Sequence, residues 1–216
     1  MAGQVFSGGT RLEKASQTFV EDAPLVVREG ERYVGRGGLK LEHALQDFGI
    51  DPAGLVCLDV GASTGGFTDC LLQHGAAKVY ALDVGHGQLD WKIRNDPRVV
   101  VMEHCNARHL QPGDLPERIG LVVADVSFIS LTLVLPPAAA LLTDGGMIVA
   151  LIKPQFELSR EEVGRGGVVR DTAAHTRAVD KIRDFSAARG WTWMGVTDSP
   201  ITGADGNREF LCLIRP

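Results

Sequence analysis

At 216 residues the chain can bury one large core, or one domain plus a small appendage. Its composition, 44% apolar and 23% charged, is that of an ordinary globular protein. A net charge of −5 excludes a surface that attracts nucleic acid everywhere, and no apolar run reaches the ~20 residues a membrane-spanning helix needs. Charge divides unevenly: residues 46–150 carry 6 basic and 12 acidic side chains, residues 151–189 carry 8 and 6. A polyanion is therefore expected to meet the second stretch. Cys57, Cys70, Cys105 and Cys212 form no C-x-x-C pair, and the histidines show no ligand spacing. Reduced thiols, a cytoplasmic location and no metal site are the expectation. No signal-peptide layout opens the chain.

In chain order, residues 1–30 read as three short strand-like runs, Gln4–Phe6, Gln17–Val20 and Leu25–Val27. Three such pieces bury no core alone, so they pack on the main domain or belong to a larger module. Residues 31–37 read as a linker. A helix then ends at Gly49, with Leu41, Ala44, Leu45 and Phe48 as its apolar stripe. Lys40 stands near its start, where the helix dipole disfavours a cation, so it is either a solvated stem or wanted for chemistry.

Val56–Val60 is a strand containing Asp59, followed by the turn Gly61-Ala62-Ser63-Thr64-Gly65-Gly66 and a helix opening at Phe67. Small residues in such a turn let the backbone approach a ligand, and free N–H groups there bind oxygens. The spacing G-x-x-x-G-G is neither the G-x-G-x-x-G of dinucleotide sites nor a P-loop, which needs a following Lys. A second strand, Val79–Leu82, leads into Asp83 and Val84. Asp83 lies 22 residues beyond Gly61, the ribose-binding distance for an acid on the neighbouring strand. Together these signals suit S-adenosylmethionine, and they nominate Asp59, Gly61, Ser63, Thr64, Gly65, Gly66, Phe67, Asp83 and Val84 as its holders. The bland alternative is a turn and a capping acid of any α/β domain.

A short helix is expected over 85–94 and a third strand over Val99–Met102, leading to Asn106 and Ala107, where a polar residue can read an adenine edge. Leu121–Ala124 is a fourth strand ending in Asp125. Residues 130–142 read as a helix in which Pro136 and Pro137 make a kink or mark the true start. Met147–Ile152 is a fifth strand ending in Lys153. Residues 157–171 lack apolar periodicity and read as a long, mobile, basic loop, which at this length is usually functional. A helix over 172–189 turns Ala178, Ile182 and Phe185 inward, and Trp191–Val196 and Phe210–Ile214 close the sheet, the last strand antiparallel. The order predicts an α/β, Rossmann-like fold with a seven-stranded, mostly parallel sheet, helices on both faces and ligands at the strands' carboxyl ends.

Lys153 ends a strand where a buried amine costs several kcal/mol unless paired. It either forms a structural ion pair with Asp125 or Glu157, or belongs with Lys40, Asp125 and Glu209 to a cluster that prepares an amine to act on an alcohol. Lys40 in G-R-G-G-L-K-L, Asp125 in A-D-V-S-F-I-S, Lys153 in I-K-P-Q-F-E and Glu209 in N-R-E-F resemble the Lys-Asp-Lys-Glu tetrad of the FtsJ-type ribose 2′-O-methyltransferases. Residues 33–216 as a whole resemble the TlyA subfamily, bacterial rRNA methyltransferases often labelled haemolysin, through L-D-V-G-A-S-T-G-G-F-T-D, D-V-S-F-I-S-L and V-G-R-G-G-V-V-R-D.

The resemblance implies a class I methyltransferase domain over residues 38–216 that moves the methyl of S-adenosylmethionine to a 2′-hydroxyl of ribosomal RNA, typically a cytidine's, on rRNA or whole subunits. It implies that Lys153 takes or orients the hydroxyl proton, that Asp125 and Glu209 hold Lys153, and that Lys40 positions the nucleotide. Residues 1–30 resemble only the second, β half of the S4 RNA-binding domain that precedes the family's linker. His86 stands where the family suggests an aromatic residue. Two other classes compete. A non-catalytic module would bind cofactor or RNA without methyl transfer, and a membrane-lytic protein would release dye from lipid vesicles.

Overall fold

The computed structural model describes residues 5–8, 10–12, 18, 23–27, 31–164 and 166–216. The chain forms two units, Met1–Arg32 and Tyr33–Pro216. In the smaller, β1 (Val5–Ser7) pairs antiparallel with β2 (Thr10–Arg11) on one side and β3 (Leu25–Val27) on the other. The run expected over Gln17–Val20 lies outside the described residues except for Thr18, which is in no strand.

The larger unit carries β4 (Val56–Val60), β5 (Lys78–Leu82), β6 (Val99–Met102), β7 (Ile119–Ala124), β8 (Leu142–Ile152), β9 (Thr192–Asp198) and β10 (Phe210–Arg215) in one sheet of order β6-β5-β4-β7-β8-β10-β9. Only β10 runs against its neighbours, and the other ladders are parallel. The helices are α1 (Gly37–Phe48), α2 (Gly66–Gln73), α3 (Trp91–Arg94), α4 (Leu131–Ala139), α5 (Pro154–Glu157) and α6 (Thr172–Ala188).

Alternation along each strand decides which helices it meets. Leu58, Val60, Val122, Ile148 and Ile152 face Leu131 and Leu135 of α4 and Ala178 and Ile182 of α6. Their neighbours Cys57, Val79, Val123 and Leu151 face Leu41 and Leu45 of α1 and Phe67 and Leu71 of α2. Both faces being covered, the buried stretches of the central strands are apolar apart from Asp59 of β4. Each fully buried leucine or isoleucine contributes roughly 1.5–3 kcal/mol relative to exposure. The order reverses between β4 and β7, and in open α/β sheets ligands sit outside the strand ends at that point.

Several boundaries differ from the sequence reading. The chain divides between Arg32 and Tyr33, so the stretch read as a linker is split; Tyr33 is buried, and the Val34 N–H donates to Asp69 Oδ2 at 2.9 Å. Residues 85–94 hold one helical turn, because Asp90 caps Lys92 N and Gly87 (φ 65°) turns the chain before it. Pro136 and Pro137 lie inside α4, whose start is set by Ser130 as cap. β8 begins five residues earlier than expected, at Leu142, and its pairing with β7 shifts register between Ile119 and Leu121. A helix, α5, follows Lys153 because Pro154 at its first position is already in helical φ.

Candidate active site

The first crossover places the glycine turn at the reversal point. Gly61 has φ 87°, and a Cβ there would lie 2.3 Å from the Asp125 carbonyl oxygen, so only glycine lets β4 and β7 end side by side. The turn's other glycines answer to packing. A Cβ on Gly65 would meet Leu89 at 2.9 Å, and one on Gly66 would come within 3.0 Å of Gly38 N in α1. The turn is tied to the neighbouring strand by Asp83, whose Oδ2 accepts from Ser63 N at 2.8 Å and whose Oδ1 accepts from Gly85 N at 2.7 Å.

Two cavities open at these strand ends and share Gly61, Ser63 and Asp125, forming one crevice with two lobes. The lobe of about 380 Å³ brings Asp83, Val84, Asn106 and Ala107 together with Val126 and Phe128. Asn106 Oδ1 accepts from Arg108 N at 3.1 Å, and its amide NH2 has no partner among the described residues. The lobe of about 470 Å³ brings Thr64, Gly66 and Phe67 together with Lys40, Lys153 and Glu209. A cavity of about 490 Å³ between α6 and the outer strands is slightly larger, but its arginines Arg183 and Arg208 are already paired with Asp180 and Asp198. The strand-end crevice therefore holds the chemistry.

Of the candidate residues, Asp59 and Gly65 line neither lobe. Asp59 faces α2, fully buried, where Thr68 Oγ1 donates to its Oδ2 at 2.7 Å and its Oδ1 has no hydrogen-bond partner among the described residues. Burial pushes this carboxyl up to about 7; Asp125 and Asp83 push the same way, and the Thr68 bond opposes them. The four tetrad residues do converge, as two ion pairs. Lys153 Nζ lies 2.5 Å from Asp125 Oδ1 and donates to Ser127 Oγ at 2.9 Å. Lys40 Nζ lies 2.5 Å from Glu209 Oε2, with both side chains buried. Glu209 thus holds Lys40, where the resemblance implied a bond to Lys153. Glu157 is not a partner of Lys153 either: it accepts from Ser130 and Leu131 N and pairs with Lys181 at 3.0 Å.

Two residues escaped the sequence reading. Ser127 carries no periodic signal and is found only as the third group of the Lys153–Asp125 pair. Phe128 is 91% exposed with φ 63°, an unusual conformation for a bulky residue, and its ring centroid lies 5.1 Å from that of Phe156. His86, stacked on His104 at 4.7 Å between centroids, lines neither lobe.

The sheet order and the glycine turn at its reversal point give the chain the Rossmann-like fold of a methyltransferase. The chain belongs to the FtsJ-like methyltransferase family, whose model matches residues 33–215. It is 47% identical over 216 residues, 99% of this chain and 81% of the relative, to the 16S/23S rRNA (cytidine-2′-O)-methyltransferase TlyA of Mycobacterium tuberculosis. It is 44% identical to hemolysin A of Brachyspira hyodysenteriae, over 98% of this chain and 88% of that one. The crystal structure of a hemolysin-designated protein from Lactococcus lactis superposes with a TM-score of 0.84 at 51% identity, covering 86% of this chain and 89% of the other. Among the described residues no helix is long and apolar enough to cross a membrane.

Proposed function

We propose that the protein methylates a ribose 2′-hydroxyl of ribosomal RNA, a cytidine's, in the cytoplasm. The observation that carries this reading is the meeting of Lys153–Asp125 and Lys40–Glu209 in one crevice beside the glycine turn. The activity that names the Mycobacterium tuberculosis relative supports it.

The smaller lobe suits the nucleoside half of the cofactor. Each Asp83 oxygen keeps a lone pair that would take a ribose hydroxyl, the Asn106 amide would hold the adenine edge, and Val84 and Ala107 supply apolar walls. Gly61, Ser63, Thr64, Gly66 and Phe67 border the methionine half. Bound S-adenosylmethionine supplies an electrophilic methyl on a sulfonium that is already a good leaving group, so alignment carries most of the acceleration. Lys153 has three N–H donors; Ser127 accepts one, the Asp125 carboxylate lies beside the ammonium as its counter-ion, and an N–H is left to orient the 2′-oxygen. The Lys40–Glu209 pair, in the same lobe, positions the nucleotide. Phe128, exposed and close to Phe156, offers a face on which the target base stacks. Residues 1–30 act as an S4-like β segment that meets RNA, and the catalytic domain begins within the stretch 31–37, at Tyr33.

Labelled S-adenosylmethionine incubated with bacterial ribosomal subunits tests this. Wild type transfers label, and Lys153→Ala loses roughly 10²–10⁴-fold in rate with cofactor affinity within about twofold, the scale of a positioned acid–base group. Cofactor binding by wild type with no transfer would establish the non-catalytic module instead.

A further inference from the structure

In the segment V-G-R-G-G-V-V-R-D, residues 163–171, the described residues line neither lobe of the site, yet two buried polar side chains hold Gly167 and Val169. Asn207, 1% exposed, accepts from Val169 N through Oδ1 at 2.9 Å and donates through Nδ2 to Gly167 O at 2.9 Å. Its amide thus makes both bonds that a neighbouring strand would make. His175 of α6, 7% exposed, holds Val169 from the other side, its Nε2 donating to the Val169 carbonyl at 2.9 Å. Val169 is itself buried, so the stretch read as a mobile loop is pinned here in an otherwise irregular segment.

The other end of this clamp reaches the tetrad. The Asn207 carbonyl accepts from Gly203 N at 2.9 Å, and Glu209 O accepts from Ser199 N at 2.9 Å. Gly203 lies against the Glu209 carboxylate so closely that a Cβ on it would fall 2.5 Å from Oε1. Gly203 and Ala204 line the same lobe as Lys40 and Lys153. One amide therefore joins the glycine-rich segment to the turn that walls in Glu209, and Glu209 holds Lys40.

We propose that Asn207 is a positioning residue for methyl transfer, seating the Gly167–Val169 backbone and the Glu209–Lys40 pair as one piece, with His175 as its second anchor. This rests on the reading of the tetrad given above. Small displacements of a positioned group are expensive in rate while leaving a remote cofactor lobe untouched. Asn207 and His175 line neither lobe of the crevice, so their loss is felt through Glu209 and Lys40.

The test is a double-mutant cycle on the full chain with ribosomal subunits and saturating S-adenosylmethionine. Asn207→Ala and His175→Ala each lower kcat roughly ten- to hundredfold, with the cofactor dissociation constant within about twofold. The double variant is little worse than either single one, because both release the same segment. His175→Gln, which keeps an amide N–H to reach Val169, retains most of the activity. Wild-type kcat in both alanine variants overturns the proposal, and so does loss of cofactor binding in parallel with kcat, which marks a folding lesion. Should Asn207→Ala fail to fold, the His175→Ala and His175→Gln pair decides alone. Lys153→Ala run alongside separates the two claims. Full transfer by that variant, or none by wild type, sinks the tetrad reading and this proposal with it. An inactive Lys153→Ala beside a fully active Asn207→Ala sinks this proposal only.

Discussion

Lys153 was legible in the sequence because an amine at the end of an apolar strand is costly, and the structure gives it one carboxylate and one hydroxyl. Asp59 was legible as an acid in the right motif but not in its direction, since a strand's two faces are one residue apart and periodicity alone does not say which face meets the ligand. Its burial under α2 has a pH consequence. The carboxyl titrates near 7 when folded against 3.8 for its ordinary value, so the folded chain holds this proton more tightly. Its contribution favours folding below about pH 4 and is lost as pH rises from there through about 7. Asp59→Asn keeps the acceptor for Thr68 and cannot ionise, so its urea-unfolding midpoint should decline less than that of wild type between about pH 5 and 8. Equal declines would contradict the assignment. At Phe128, whose ring also borders the cofactor lobe, substitution by Ala should raise KM for ribosomal subunits several-fold even at saturating cofactor; an unchanged KM would show that this exposed ring contacts no substrate.

Among the elements, the strands were read almost as they fold, because burial on both faces writes them as unbroken apolar runs such as Val79–Leu82 and Leu121–Ala124. The helices were read where a cap or stop marks them. Gly49, at φ 65°, ends α1, and Asp171 caps α6 through Ala173 N at 3.0 Å. Short pieces governed by one side chain were not legible. The single turn of α3 depends on Asp90, α5 on Pro154, and the seating of residues 167–169 on Asn207, forty residues away from Gly167. The turn after β4 gives a prediction at this scale. Gly61→Ala forces a Cβ toward the Asp125 carbonyl at a left-handed φ, which should cost roughly 1–3 kcal/mol of stability. It should also weaken cofactor binding, because β4 and β7 can no longer end together. Thermal melting and cofactor titration of the variant check both, and a wild-type melting curve would contradict the packing argument.

For the molecule as a whole, the core lies within residues 33–216, and the larger unit contains both ion pairs and both lobes. A chain lacking residues 1–30 should therefore melt within a few degrees of the full chain and bind S-adenosylmethionine with unchanged affinity, while its KM for ribosomal subunits rises. Lost cofactor affinity would contradict this division of labour. The net charge of −5 fits the same division, since local cations rather than a global field must meet the RNA. That two amines and two carboxylates in one crevice direct a methyl to a ribose oxygen is tested most directly by where the label goes. Methylated RNA is digested with alkali, which needs a free 2′-hydroxyl to cleave the following phosphodiester. The account predicts label in alkali-resistant dinucleotides, and label released with mononucleotides, as a base methylation would give, contradicts it.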